Sequence, residues 1–204
     1  MTGAPPPPLG LAVIGHVNHG KTALVRALTG METDRLPEEK ARGLSIALGF
    51  AFREDAAGHV DFLDAPGHED FLRAMVIGTA GARAALLVVS AVEGFARQTR
   101  EHLQIAGLLG LRVGLVAVTK ADLVPPDARP GLETRLRREL EASFLASAPI
   151  VFCSALTGEG LEALHGGIRA LAAQAPPPEP LPGVPLHWLP ISSIMGLLVG
   201  NTRR

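Results

Sequence analysis

Short apolar runs alternate along the chain with stretches in which apolar residues recur every three or four positions. The runs are Leu9 to Gly15, Ser45 to Arg53, Val60 to Asp64, Ala84 to Ser90, Leu111 to Thr119 and Pro149 to Ser154. They have the length of strands, and most lack a polar alternation, as strands covered on both faces do. Between the later runs, Leu132, Leu136, Leu140 and Phe144 repeat every four residues among charged neighbours, and Leu161, Leu164, Ile168 and Leu171 repeat every three or four. Each series predicts an amphipathic helix lying on the sheet. The pattern as a whole predicts an α/β fold, a mostly parallel six-stranded sheet with helices on both faces. The stripes themselves are read as core packing and nothing more.

Proline divides the chain. Ala4-Pro-Pro-Pro-Pro8 and Ala175-Pro-Pro-Pro-Glu-Pro-Leu-Pro-Gly-Val-Pro185 cannot enter helix or sheet interiors, because proline lacks the backbone donor. Residues 1–8 therefore read as a tail, 9–174 as the folded domain, 175–185 as a semi-rigid linker and 186–204 as the incomplete start of a second unit. At 204 residues, 47% hydrophobic and 19% charged, the chain has material for one ordinary core and is not extensively disordered.

Charge narrows the function classes. Nineteen Lys and Arg against twenty Asp and Glu leave a net charge of -1, so the chain is not a polycation that grips nucleic acid by neutralising phosphates. The single cysteine, Cys153, can form neither an internal disulfide nor a cysteine metal site, which favours a reducing compartment and a cytoplasmic location. The most apolar stretches, Ala84 to Val92 and Leu108 to Thr119, are too short and too interrupted to span a bilayer.

The candidate chemistry begins directly after the first predicted strand. Gly15-His16-Val17-Asn18-His19-Gly20-Lys21-Thr22 has the glycine spacing and the Lys-Thr ending of a phosphate-binding loop that opens a helix. Glycine lets the backbone turn its N–H groups inward around phosphate oxygens, and the helix N-terminus adds positive potential at the same place. Lys21 would reach the terminal phosphates and Thr22 would ligate Mg²⁺. His16 and His19 project from this loop in structural roles, without a third group to make a metal site.

Two further motifs follow at the ends of predicted strands. In Asp64-Ala-Pro-Gly67-His68, Asp64 would hold Mg²⁺ through water, the Gly67 N–H would meet the γ-phosphate, and His68 would orient the attacking water. In Thr119-Lys120-Ala121-Asp122, the carboxylate of Asp122 matches the N1–H and exocyclic amine of guanine, which adenine cannot offer; such a mismatch is worth about 10⁴ to 10⁵ in discrimination. The Lys120 stem would cover the base, and backbone N–H groups of Ser154-Ala155-Leu156 would meet guanine O6. GTP is thus the expected substrate and GDP the product.

In this order, the four motifs resemble the GTPase domain of translational factors. Gly-His-Val-Asn-His-Gly-Lys-Thr and Asp-Ala-Pro-Gly-His are similar to the branch that delivers tRNA to ribosomes. The run Leu28-Thr-Gly-Met-Glu-Thr-Asp34-Arg35-Leu36-Pro37-Glu38-Glu39-Lys40-Ala-Arg42-Gly43-Leu-Ser45-Ile46-Ala-Leu-Gly49-Phe50, together with Thr119 in place of the usual asparagine, resembles the selenocysteine-specific elongation factor family. Gln98-Thr-Arg-Glu-His102-Leu103 is shared more broadly across the branch.

The resemblance implies that residues 31–45 form a first switch, with Ser45 where a Mg²⁺-binding threonine is usual. It implies slow GTP hydrolysis until the ribosome is met, and selenocysteyl-tRNA as cargo in a complete family member. Asn18 stands where an aspartate helps hold a monovalent cation, and an amide oxygen retains that capacity. Ala47 replaces a common aspartate, with no consequence to assign. Family members continue through two β-barrels and a C-terminal region that binds an mRNA hairpin; Pro185-Leu-His-Trp-Leu-Pro190-Ile looks like the first strand of the second domain, so the chain is expected to be a truncated or degenerate copy. A GTP-binding module without delivery function, and another tRNA-delivering GTPase, stay open as alternatives.

Overall fold

The computed structural model describes residues 8–33, 48–55, 58–65 and 82–175. Six strands form one sheet: β1 (Leu9–Ile14), β2 (Gly49–Asp55), β3 (Gly58–Asp64), β4 (Ala84–Ser90), β5 (Gly114–Thr119) and β6 (Ile150–Phe152). Their order is β2-β3-β1-β4-β5-β6. Only the β2–β3 pair is antiparallel; the other four pairings are parallel.

Continuous burial of β1, β4 and β5 follows from helices on both sides. Along β1, Leu9, Leu11 and Val13 point into one core while Ala12 and Ile14 point into the other, as the two-residue period of a strand requires. The first core packs against α1 (Lys21–Thr29) through Leu24, Val25 and Leu28, and against α4 (Leu161–Gln174) through Leu164, Ile168 and Leu171. The second packs against α2 (Arg97–Leu108) through Leu103 and Ala106, and against α3 (Arg129–Leu140) through Leu132, Leu136 and Leu140. The three-layer arrangement expected from the apolar pattern is the one observed.

Several boundaries differ from expectation, among them β2, which runs to Asp55, and β3, which starts at Gly58. The four-residue stripe continues to Phe144, but α3 stops at Leu140 and Phe144 sits in the turns that follow, packed against the second core. A turn can thus carry an apolar residue onto the same face as the helix before it. The run from Leu111 yields a strand only from Gly114, and Pro149 to Ser154 yields only three strand residues. Leu111 is buried all the same, so its hydrophobicity reports burial and not conformation.

At the rim where the parallel strands begin, the buried Arg83 donates from Nη1 to Pro8 O at 2.8 Å and from Nη2 to Ala175 O at 3.0 Å. The opposite rim, at the carboxyl ends of β1, β3 and β5, carries the loops of interest, where ligands of open α/β sheets bind. Among the described residues, no helix is long and apolar enough to cross a membrane. Ser45, Ala47, Gly67, His68, the linker at 176–185 and everything from 186 to 204 lie outside the described residues, as does most of the first switch.

Candidate nucleotide-binding site

Leaving β1, the chain passes so close to β4 that a Cβ on Gly15 would run into the Val88 carbonyl oxygen. The loop then turns through Asn18, whose φ is 61°, and enters α1 at Lys21. The Lys21 ammonium donates back to Gly15 O at 3.1 Å and to His16 O at 3.0 Å. The side chain is buried, so a positive charge is held over the concave face of the loop. No side chain caps α1 and its first turn has no acidic residue, which leaves the helix end suited to an anionic ligand.

Beside the lysine, Thr22 Oγ1 donates to Asp64 Oδ2 at 2.8 Å. Thr33, a residue that sequence reasoning missed, donates its hydroxyl to the same oxygen at 2.7 Å. It is buried next to Gly49, where any side chain on Gly49 would collide with it. A hydroxyl and a carboxylate are hard oxygen donors, and the pair falls short of a complete coordination shell. That is the donor set of a Mg²⁺ ion that keeps water and substrate phosphate as its remaining ligands, so the residues present fit the metal.

The base-side loops are tied to the phosphate loop. Thr119 Oγ1 donates to His19 O at 2.6 Å, which fixes the end of β5 against the turn before α1. Lys120 then adopts a left-handed backbone, φ 56°, and Asp122 lies exposed in the short 3-10 turn Ala121–Leu123. Ala121 N–H donates to Cys153 O at 3.1 Å, bringing the loop after β6 alongside. A cavity of about 940 Å³ joins these pieces, lined at one end by Gly20, Lys21 and Thr22 and at the other by Lys120, Asp122 and Ala155.

Two groups at this rim are placed differently from a free loop. Of the three N–H groups assigned to the base carbonyl, Ser154's donates to Glu159 O at 2.9 Å and Leu156's to Ser154 Oγ at 3.2 Å. Both donors help shape the turn, which leaves the Ala155 N–H as the one of the three not engaged in it. His19 does not project from its loop: it is fully buried, with Nδ1 3.3 Å from Val88 O. His16 does remain partly exposed, and its Nδ1 pairs with Gln98 Oε1 of α2.

That pairing shows what Gln98 and His102 do in the fold. One turn further along α2, His102 Nδ1 accepts the Gly15 N–H at 3.4 Å. Burial, followed by the nearby Lys21 charge, pushes the His102 pKa down to about 4. Burial likewise pushes His19 down to about 4, against the opposing effect of the Val88 carbonyl. Both imidazoles are therefore neutral near pH 7 and add no second positive charge to the loop. Cys153, which faces the core, has its thiol pushed up to about 12 by burial and is chemically inert.

A mostly parallel sheet carrying a lysine-closed phosphate loop at its carboxyl rim, with an aspartate-bearing loop two strands away, makes this a P-loop domain of the GTPase type. The chain belongs to the family described as the elongation factor Tu GTP binding domain, whose model matches residues 8–176. It is 47% identical over 171 residues to a selenocysteine-specific elongation factor from Desulfomicrobium baculatum, covering 83% of this chain and 27% of that one. Among solved structures, a bacterial selenocysteine-specific elongation factor superposes with a TM-score of 0.78 at 39% identity, covering 85% of this chain and 30% of the other. Elongation factor SelB from Methanococcus maripaludis, solved with the GTP analogue GPPNHP, gives 0.75 at 27% identity, covering 90% and 37%. The chain thus spans under a third of the length of the Desulfomicrobium relative it matches.

Proposed function

We propose that this chain is the GTP-binding and GTP-hydrolysing part of a selenocysteine-specific elongation factor, acting in the cytoplasm on selenocysteyl-tRNA at the ribosome when joined to the rest of such a factor. The carrying observation is that one cavity runs from Lys21 and Thr22 to Asp122 and Ala155, which suits a single ligand with phosphates at one end and a planar base at the other. Similarity to a factor solved with a GTP analogue supports the choice of ligand.

On this reading the loop from Gly15 to Thr22 wraps the phosphates, and Lys21 supplies a charge already fixed by Gly15 O and His16 O. Mg²⁺, when bound, neutralises the β- and γ-phosphate oxygens. Thr22 would hold it directly, with Ser45 as a second hydroxyl, and Asp64 would hold it through water. Asn18 would lend an amide oxygen to a monovalent cation. Asp122 reads the guanine edge, the Lys120 stem covers its face and the Ala155 N–H meets O6. Gly67 senses the γ-phosphate and His68 orients the attacking water, so both belong to a hydrolysis that is slow until the ribosome is engaged. The mRNA hairpin would be bound by a region of the complete factor outside this chain. The division into 1–8, 9–174, 175–185 and 186–204 belongs to the same reading, with the last segment opening a β-barrel.

Calorimetric titration of the purified chain with GTP, GDP and ATP in the presence of Mg²⁺ tests the ligand. Guanine nucleotides should bind and ATP should not; equal binding of GTP and ATP, or heat from neither, overturns the reading. Single-turnover hydrolysis with ribosomes, comparing wild type with His68→Ala, tests catalysis. If ribosomes stimulate wild type and the variant alike, the role given to His68 fails. A chain that binds GTP yet shows no hydrolysis under any of these conditions is a binding module only.

A further inference from the structure

Lys120 of the base-side loop and His19 of the phosphate loop both lie beside one residue that is not part of the pocket lining. Glu93, in the turn after β4, accepts from Lys120 Nζ through Oε1 at 2.9 Å, while its Oε2 lies 3.8 Å from His19 Nε2. His19 is fully buried, and among the described residues its Nε2 has no hydrogen-bond partner. The edge it turns away from Val88 therefore faces the carboxylate.

The turn that presents Glu93 is itself fixed. Gly94 N–H donates to Ser90 O at 2.8 Å and Glu93 N–H to Ser90 Oγ at 3.3 Å. Ala91 N–H donates to Thr119 O at 2.8 Å, and Thr119 in turn holds His19 O. Phosphate loop, β4 turn and base-side loop thus close into a ring, and Glu93 is the acidic group that the β4 turn brings to it.

We propose that Glu93 is a positioning residue for the guanine nucleotide. Its carboxylate anchors the Lys120 ammonium, so that the flexible stem is laid out as a lid for the purine before the ligand arrives. A lysine left loose must surrender its rotamer freedom on binding, and the anchor removes that cost from the binding step. Glu93 touches no nucleotide and acts through Lys120. This inference rests on the guanine-binding reading above.

The test is the dissociation rate of a fluorescent GDP analogue from wild type, Glu93→Ala, Glu93→Gln, Lys120→Ala and the Glu93→Ala/Lys120→Ala double variant. Because the pair is half-exposed, Glu93→Ala should speed release about fivefold, less at high salt. Glu93→Gln, which keeps an acceptor for the ammonium, should recover part of the loss. In the double variant, release should match Lys120→Ala alone, a non-additivity that a merely structural role for Glu93 would not produce. Wild-type release from Glu93→Ala, or losses that multiply in the double variant, overturns the proposal. Those results leave the guanine reading standing if wild type still prefers GDP to ADP; a wild type without that preference removes both.

Discussion

The backbone N–H of Gly15 is received by the imidazole of His102, 87 residues further along the chain. The acceptor must be an unprotonated Nδ1, so the bond exists only while the ring is neutral. Helix α2 therefore holds the first peptide of the phosphate loop through a group whose charge state matters.

This makes stability depend on pH. His19 and His102 both have folded-state pKa values near 4, below the ordinary 6.5, so between these values the unfolded chain binds protons that the folded one excludes. Stability is full above about pH 6.5 and declines as pH falls toward 4, by at most on the order of 3 kcal/mol for each ring. Urea unfolding at a series of pH values from about 7.5 to about 4.5 measures the slope. His102→Gln should flatten it, and an unchanged slope would exonerate His102.

Thr22 and Thr33 share one oxygen of Asp64, yet their replacement should be felt differently. Thr22→Val removes a proposed metal ligand, so Mg²⁺ should no longer slow GDP release, whereas Thr22→Ser should keep that response. Thr33→Val should cost about 1 kcal/mol of stability through the lost hydrogen bond. Metal titrations of GDP dissociation, alongside denaturation curves, separate the two effects.

Asp122→Ala should abolish the preference for guanine with little effect on folding, because the side chain is exposed at the cavity wall. A drop of at least about 100-fold in GDP affinity is expected from losing a paired polar contact to the base. Isothermal titration reads the affinity, and a thermal melt checks the fold.

Gly160 and Gly158 both have positive φ, 72° and 83°, but differ in space. A Cβ at Gly160 would strike Phe152 O, while nothing lies within 4 Å of one at Gly158. Gly158→Ala should cost about 1 kcal/mol for the left-handed backbone alone, and Gly160→Ala about 3 kcal/mol or more once overpacking is added. Similar losses in the two unfolding midpoints would contradict the crowding seen at Phe152.

The layers of the fold were legible because burial on two faces leaves continuous apolar runs, and the loop at Gly15 was legible because phosphate binding demands glycine and lysine at fixed spacing. What stayed hidden was direction. Nothing in the letters says that His19 turns inward to Val88 or that the Ser154 amide is spent on Glu159, since a loop residue's orientation is set by neighbours distant in sequence. Thr33 and Glu93 escaped for a related reason: each acts on a motif residue that lies 31 or 27 positions away. A histidine and a glutamine four apart on α2 were visible as a shared motif, but their attachment to Gly15 and His16 needed the folded helix.

Arg83 grips the carbonyls of Pro8 and Ala175 at the sheet margin remote from Lys21. The two extremities of the described body are consequently neighbours, and a short bridge could splice them while new ends are opened in the turns after α3. A circularly permuted chain of that kind should fold with its pocket intact, and force applied through any attached module would enter the domain at its foundation, far from the chemistry.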